Sequence, residues 1–95
     1  MKFTEEEIKN YYETNKKFYE KCHDIFLVTV YKEERETAEF DSFEIYFNES
    51  VIFYKDFEGD LCEFCFPTNW LMMEIDDIPK EYEKLLEKQG GSRYI

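Results

Sequence analysis

Cys62 and Cys65 have the spacing of half a zinc site, and the adjacent Cys22 and His23 could supply two further ligands. The surrounding pattern argues against this chemistry. Cys62 and Cys65 lie inside a stretch of alternating side chains, where residues three apart point to opposite faces of a strand. Adjacent residues such as Cys22 and His23 can hardly both turn toward one ion. The sequence therefore predicts free cysteines that pack in the core, and no metal site.

Cys22, His23 and Asp24 are also the residue types of a cysteine hydrolase. A catalytic triad needs side chains that converge in space, whereas neighbours at the end of a helix diverge. His23 is the only histidine, so general-base catalysis near neutral pH would need it or a carboxylate with a raised pKa. We therefore expect no enzymatic activity and no cofactor.

Three acids, Asp56, Glu58 and Asp60, surround Gly59 and superficially suggest a calcium loop. An EF-hand loop needs its glycine at the sixth position and a glutamate at the twelfth, and this stretch is too short. A hairpin turn at Glu58 and Gly59 explains the pattern, since glycine supplies the positive φ of a tight turn. No glycine-rich phosphate loop and no basic patch is present, which argues against direct nucleic-acid binding.

The elements that carry these residues follow from hydrophobic periodicity. Alternation over residues 43–66 predicts three consecutive antiparallel strands, ended by Pro67. One parity faces the core: Phe43, Ile45, Phe47, Val51, Phe53, Cys62, Phe64 and Phe66. The opposite parity faces outward and includes Glu44, Tyr46, Tyr54, Asp56 and Glu63.

A fourth strand is predicted at the uninterrupted apolar run 25–31, which is typical of a strand covered on both faces. Residues 32–36 are all charged and predict an exposed connection. Phe40 and Phe43 have opposite parity, so one continuous strand through them requires a bulge near Asp41 and Ser42. The predicted sheet is therefore a four-stranded antiparallel meander.

Helices are predicted at both ends of the chain. Thr4 and Glu7 form a capping box for an N-terminal helix that runs to about Cys22. Residues 68–73 predict a helical turn, and Pro79 suits the first turn of a last helix that ends near Lys88. The expected α+β fold is a single domain, 1–95, folded over 1–89 with a flexible tail at 90–95, its helices on one sheet face. The predicted core contains Ile8, Tyr11, Phe18, Val28, Val30, Phe43, Ile45, Phe47, Phe53, Phe64, Trp70 and Leu85.

The formal net charge of −11 is concentrated in the sheet region. Residues 33–63 hold eleven acids against two bases, Arg35 and Lys55. Aromatic residues make up 20% of the chain, which favours a packed protein over a disordered one. The odd number of cysteines and the lack of an apolar leader indicate a reducing cytoplasm. No apolar run approaches the length of a membrane span.

Tyrosines among acids on an outward face are typical of a protein interface. A small acidic domain rich in aromatic residues resembles, in general character, the phage-encoded inhibitors of bacterial defence nucleases, including anti-CRISPR proteins. The resemblance implies a basic partner surface, the nucleic-acid channel of a nuclease, blocked by charge mimicry. The residues predicted to bind it are Glu33, Glu34, Glu36, Glu39, Asp41, Glu44, Tyr46, Tyr54, Asp56, Glu58, Asp60 and Glu63. The alternative is an immunity or adaptor protein that binds a basic toxin, or self-associates through the aromatic face.

Overall fold

The computed structural model describes residues 2–9 and 15–88. Across these residues the fold is α+β, which confirms the predicted class. Its helices are α1 (Glu5–Lys9), α2 (Asn15–Val28), α3 (Val30–Glu33) and α4 (Ile78–Lys88), with short 3-10 helices at Thr68–Met72 and Ile75–Asp77. The strands β1 (Glu39–Glu44), β2 (Glu49–Lys55) and β3 (Leu61–Pro67) pair antiparallel in the order β1-β2-β3.

The start of α1 has the predicted capping box. The backbone N–H of Glu7 donates to Thr4 Oγ1 at 3.1 Å, and the Thr4 N–H donates to Glu7 Oε1 at 3.2 Å. Each side chain satisfies an amide that the first helical turn cannot pair internally. Just before the cap, Phe3 stacks on Phe18 of α2 at 4.2 Å, and its N–H donates to the Leu71 carbonyl at 2.8 Å. Phe3, next to the capping box, therefore anchors the start of α1 to the core.

The prediction of a strand at residues 25–31 is wrong. This segment completes α2 and forms α3, and the sheet of the described residues has three strands. Buried side chains at Phe18, Cys22, Ile25, Phe26 and Val30 recur at three- and four-residue spacing, so the apolar stripe of α2 continues through the run. Because a short apolar run does not distinguish a buried helix from a buried strand, packing decided the outcome.

Thr29 separates α2 from α3. Its hydroxyl donates to the Ile25 carbonyl at 2.6 Å, and its backbone leaves helical geometry at φ −121° and ψ −96°. A threonine that bonds the carbonyl four residues earlier commonly bends a helix. The break is thus made by a buried side chain whose own polar group is satisfied.

β1 contains the predicted bulge. The register with β2 shifts between Phe40 and Ser42, which leaves Asp41 as the extra residue. The shift brings Phe40 and Phe43 onto the same face despite their opposite parity. Tyr19 of α2 contacts both rings, at centroid distances of 5.3 Å and 6.1 Å.

The predicted facing of β2 is wrong, because Ile52 and Tyr54 point toward the helices, whereas Val51, although buried, and the half-buried Phe53 lie on the opposite face. Ile52 is fully buried, and Tyr54 is 1% exposed. Ile52 lies opposite Phe64 of β3, and residues directly opposite each other in an antiparallel pair share a face. The inward position of Phe64 therefore requires Ile52, and with it Tyr54, to face inward.

Aromatic side chains join the helices to the sheet. Phe26 of α2 contacts Phe40 at 5.7 Å and Tyr54 at 5.9 Å between ring centroids. On β3, the ring of Phe64 meets Tyr82 of α4 edge-to-face at 5.5 Å. Such pairs contribute beyond their buried area because positive ring edges meet negative ring faces.

The assignment of Phe47 to the core is wrong. β1 ends at Glu44, and Phe47 lies in the connection to β2 with 76% of its surface exposed. Once the backbone leaves the ladder, parity no longer predicts burial. Most other predicted core residues are buried or packed against the core: Ile8, Phe18, Val28, Val30, Phe43, Ile45, Phe64, Trp70 and Leu85. Tyr11 and the predicted tail at 90–95 lie outside the described residues.

Two phenylalanine substitutions test these burial assignments. We expect Phe66→Ala, at a side chain 1% exposed, to lower the free energy of unfolding by about 3–5 kcal/mol. Phe47→Ala should change it by less than about 0.5 kcal/mol, as at other exposed positions. Urea unfolding followed by circular dichroism measures both. Equal losses would place Phe47 back in the core.

Candidate protein-binding site

The β2–β3 connection at residues 56–60 is built around Asp56. Its Oδ1 accepts hydrogen bonds from the backbone N–H groups of Glu58 at 2.9 Å and Asp60 at 3.0 Å. The Asp56 N–H donates to the Asp60 carbonyl at 3.0 Å, and the Gly59 N–H donates to the Asp56 carbonyl at 2.9 Å. Gly59 has a φ of 84°, which glycine adopts without steric cost. The turn leaves Phe57 72% exposed, beside the exposed Glu58 and Asp60.

The connection from α3 to β1 is a second acidic turn. The Glu36 N–H donates to the Tyr31 carbonyl at 2.7 Å and the Arg35 N–H to the Lys32 carbonyl at 3.1 Å, which is the pattern of a Schellman motif. Glycine usually takes the left-handed position of this motif. Here Arg35, with a φ of 55°, and Glu36, with a φ of 62°, both adopt that conformation. It costs a residue with a side chain about 1–2 kcal/mol.

The two turns meet at one end of the sheet. A groove of about 420 Å³ is lined by both of them, through Glu33, Glu34, Arg35, Thr37 and Phe57. We call residues 33–37 and 56–60 the acidic end. It carries six carboxylates and a single base, Arg35. In the described part of the chain, none of the six lies within ion-pair distance of a base.

Glu33 differs from the other acids of the acidic end. The hydroxyl of Tyr82 in α4 donates to its Oε2, and its Oε1 is buried. Glu33 therefore connects α3 to α4, and its carboxylate is turned away from solvent. The exposed charge of the acidic end comes mainly from Glu36, Glu58 and Asp60.

Four further acids of the predicted set, Glu39, Asp41, Glu44 and Glu63, are exposed side chains on strands. The register places Glu44 beside Val51 and Glu63 beside Phe53. We call the side of the sheet that carries Val51, Phe53, Glu44, Glu63 and Cys65 the outer face. Glu44 and Glu63 were predicted to face outward, and this is confirmed.

The two tyrosines predicted on the outward face are not there. Tyr54 is buried against Phe26, so the prediction that it faces outward is wrong. Tyr46 lies in the β1–β2 connection, 58% exposed, and its hydroxyl donates to the carboxylate of Glu44. Phe57 is the exposed aromatic side chain that sequence reasoning missed. Its signal was present, because an aromatic residue between two acids in a glycine turn has little chance of burial.

The cysteine and histidine side chains considered above for a zinc site or a catalytic triad do not come together among the described residues. Cys62 and Cys65 lie on opposite faces of β3 and form no disulfide within the described residues. Cys65 is exposed, so the expectation that it packs in the core is wrong. Cys22 is fully buried, and the ring of His23 packs edge-on against Phe40 at 5.3 Å. Within residues 2–9 and 15–88, no group of three or more potential ligands is placed to hold a metal ion.

Two of the thiols, Cys22 and Cys65, have raised pKa values. Burial raises the pKa of Cys22 to about 12, against the opposing charge of Lys21. The pKa of Cys65 is also raised, first by loss of surrounding water and then by Glu49, which accepts a hydrogen bond from the thiol, with Glu63 adding to the effect. Neither group is activated as a nucleophile, since that requires a lowered pKa.

Comparisons with protein-family models, with curated proteins and with solved structures find no match for this chain. None of the helices in the described ranges is both long and apolar enough to cross a membrane. The fold and the site together define an acidic α+β protein that presents an exposed aromatic ring between two acidic turns.

Glycine at the left-handed position of the second turn should stabilise the protein. We expect Arg35→Gly to raise the free energy of unfolding by about 0.5–1 kcal/mol, because it relieves the left-handed strain at some cost in chain entropy. Lys32→Gly, in the regular backbone of α3, should instead lower it by about 1 kcal/mol. Thermal unfolding compares the two variants. A loss at both positions would show that Arg35 is not strained.

Buried and exposed thiols should differ in their reaction with iodoacetamide. At mildly alkaline pH we expect the exposed Cys65 to be modified in the folded protein and Cys22 only on unfolding, since Cys22 is fully buried with a pKa of about 12. Mass spectrometry of peptides from a time course, with a urea-unfolded sample as control, measures the order. Early modification of Cys22 in the folded protein would contradict its burial.

Proposed function

We propose that the protein binds the basic nucleic-acid channel of a bacterial defence nuclease through the acidic end and blocks substrate entry without chemistry. The observation that carries this proposal is the meeting of two acidic turns around Phe57, with no ion pair to any base in the described chain. The exposed carboxylates of Glu36, Glu58 and Asp60 are available to a partner's cations.

The physical basis is competition for the same charges. Nuclease channels carry Lys and Arg side chains that neutralise phosphates, and carboxylates can occupy those positions. The acidic end is well suited because its backbone is held by the hydrogen bonds of Asp56 and of the Schellman turn. A preordered surface loses less entropy on binding than a flexible acidic tail. Electrostatic attraction would also accelerate association and make it sensitive to salt.

Phe57 would supply the apolar anchor. It is 72% exposed and lies between Asp56 and Glu58. Aromatic residues that become buried at the centre of an interface contribute much of its binding energy, while the charges around them direct the encounter. Phe57 takes the role that the sequence suggested for Tyr54.

The outer face would extend the acidic surface. We infer that the helices leave this face open, because Leu61, Glu63 and Cys65 on β3 are exposed, whereas Phe64 and Phe66 are buried beneath helical residues. Glu44 and Glu63 lie on strands to either side of β2, about 12 Å apart from strand spacing and rise. A broad basic channel could contact both these acids and the acidic end.

A basic toxin would also present cations to the acidic end. The second candidate function is therefore that of an immunity protein that binds such a toxin. The two differ in the identity of the partner. A nuclease of a defence system acts in the cytoplasm, in keeping with three cysteines that form no disulfide in the described chain. Self-association through a face that includes Tyr54 is not proposed, because Tyr54 is buried.

Two triple variants test the proposal. Glu36, Glu58 and Asp60 are exposed at the acidic end, and Asp76, Glu83 and Glu87 are exposed on the second 3-10 helix and α4. Changing either triple to lysine alters the net charge equally. We expect the acidic-end triple to weaken partner binding on the order of 100-fold, because three favourable charge contacts become repulsive. The α4-side triple should weaken it less than about threefold.

The partner is first captured from bacterial lysate on the immobilised wild-type protein and identified by mass spectrometry. Binding and residual nuclease activity are then measured for both triples. Raising salt from about 0.1 M to about 1 M shortens the Debye length from about 10 Å to about 3 Å and should weaken the wild-type complex. Equal effects of the two triples, or binding that ignores salt, would disprove the acidic end as the contact. A captured toxin that cuts no nucleic acid would select the immunity function instead.

A further inference from the structure

At the other end of β2 lies an apolar groove that the acidic end does not include. Its volume is about 340 Å³, and its walls include Ile8 of α1, Ile45 and Phe47 of the β1–β2 connection, and Met72 of the 3-10 helix Thr68–Met72. Phe47 is 76% and Met72 39% exposed. Contiguous exposed apolar side chains commonly mark interaction sites or binding grooves on a protein surface.

The walls of the groove are held in place by named hydrogen bonds. Thr68 Oγ1 donates to the Tyr46 carbonyl at 2.7 Å and lies 2.8 Å from Ser50 Oγ, while the Thr68 N–H donates to the Asn48 carbonyl at 3.1 Å. On the other side, the Phe3 N–H bond to the Leu71 carbonyl ties α1 to the same 3-10 helix. The exposed position of Phe47 therefore comes from a fixed connection, so the groove is formed before any partner arrives.

Among the side chains that the structure describes, the charge around the groove is negative. Glu5 is part of its wall, and Glu44 and Glu49 are exposed at the two ends of the β1–β2 connection. Lys2, an exposed base near the start of α1, lies 3.8 Å from the carboxylate of Glu74. A segment that inserts an apolar side chain into this groove therefore binds more tightly when Lys or Arg residues flank that side chain. The cations would be attracted to the carboxylates of Glu5, Glu44 and Glu49.

We propose that the groove binds a segment of a partner protein in which a large apolar side chain is flanked by Lys or Arg. The volume accommodates a leucine or phenylalanine side chain, and the flexible Met72 can adapt to either. The basic flanks would lie against Glu5 and Glu49. The groove and the acidic end are separated by the length of β2, about 20 Å for its seven residues.

A second copy of this chain is the less favoured occupant. Outside the groove, the most exposed aromatic side chain of the described residues is Phe57, at 72%. Phe57 lies between Asp56 and Glu58, so its insertion would bring like charges together at the rim of the groove. Charge thus selects a basic partner over self-association.

Synthetic peptides test the groove without a nuclease. The probe carries a leucine and a phenylalanine between two pairs of arginines; one matched peptide has alanines at the apolar positions, and another has glutamates in place of the arginines. Binding is followed by amide shifts in ¹H–¹⁵N spectra of the labelled protein. We expect shifts around Ile8, Ile45, Phe47 and Met72, and at least tenfold weaker binding of both matched peptides.

Phe47→Ala and Met72→Lys should each weaken binding of the probe about tenfold, the first by removing apolar contact and the second by adding a like charge. Both positions are exposed enough for the variants to fold, and Glu87→Lys, at an exposed residue of α4 that belongs to neither the groove nor the acidic end, is the control that should leave affinity unchanged. Unchanged affinity in both groove variants, equal binding of the alanine peptide, or shifts confined to residues 33–37 and 56–60 would overturn the proposal. Concentration-dependent shifts at the groove without peptide would identify a second copy as its occupant and would also overturn it. The proposed role of the acidic end is tested separately by the lysine triples.

Discussion

The length of the β2–β3 connection is the constraint on which the rest of the structure depends. Asp56 organises five residues between the strands, so Lys55 pairs with Leu61. A two-residue turn at Glu58 and Gly59 would pair these strands one residue out of step, and a slip of one residue moves every side chain of β2 to the opposite face. The observed register buries Tyr54 beneath the helices and leaves Phe57 at the tip of the connection.

The same constraint separates the aromatic residues from the charges. Ring contacts such as Phe26 with Tyr54 lie between the helices and one side of the sheet. Most acids between residues 36 and 63 lie on the connections and on the outer face, where they are exposed to water. Mutual repulsion among carboxylates opposes compact folding, and it is weakest where side chains are exposed and screened. The strong negative charge is therefore compatible with a packed core.

Local rules predicted the elements whose structure depends only on nearby residues. Thr4 and Glu7 form the expected capping box because both partners lie within one helical turn. The bulge in β1 follows from the parity of Phe40 and Phe43, two positions on one strand. Pro79 at the start of α4 and the exposed acids Glu36, Glu58 and Asp60 were likewise readable from composition and spacing.

By itself, then, the sequence determined the helix cap, the bulge, the facing of β3, the last helix and the concentration of acids between residues 33 and 63. Tertiary structure alone decided whether residues 25–31 were helix or strand, since an apolar run suits both and burial by neighbours selects one. It alone set the facing of Tyr54 and the exposure of Phe47, because strand register and strand ends depend on distant partners. Only the tertiary structure brought Arg35 and Phe57 together, since two turns about twenty residues apart meet only when the sheet between them has formed.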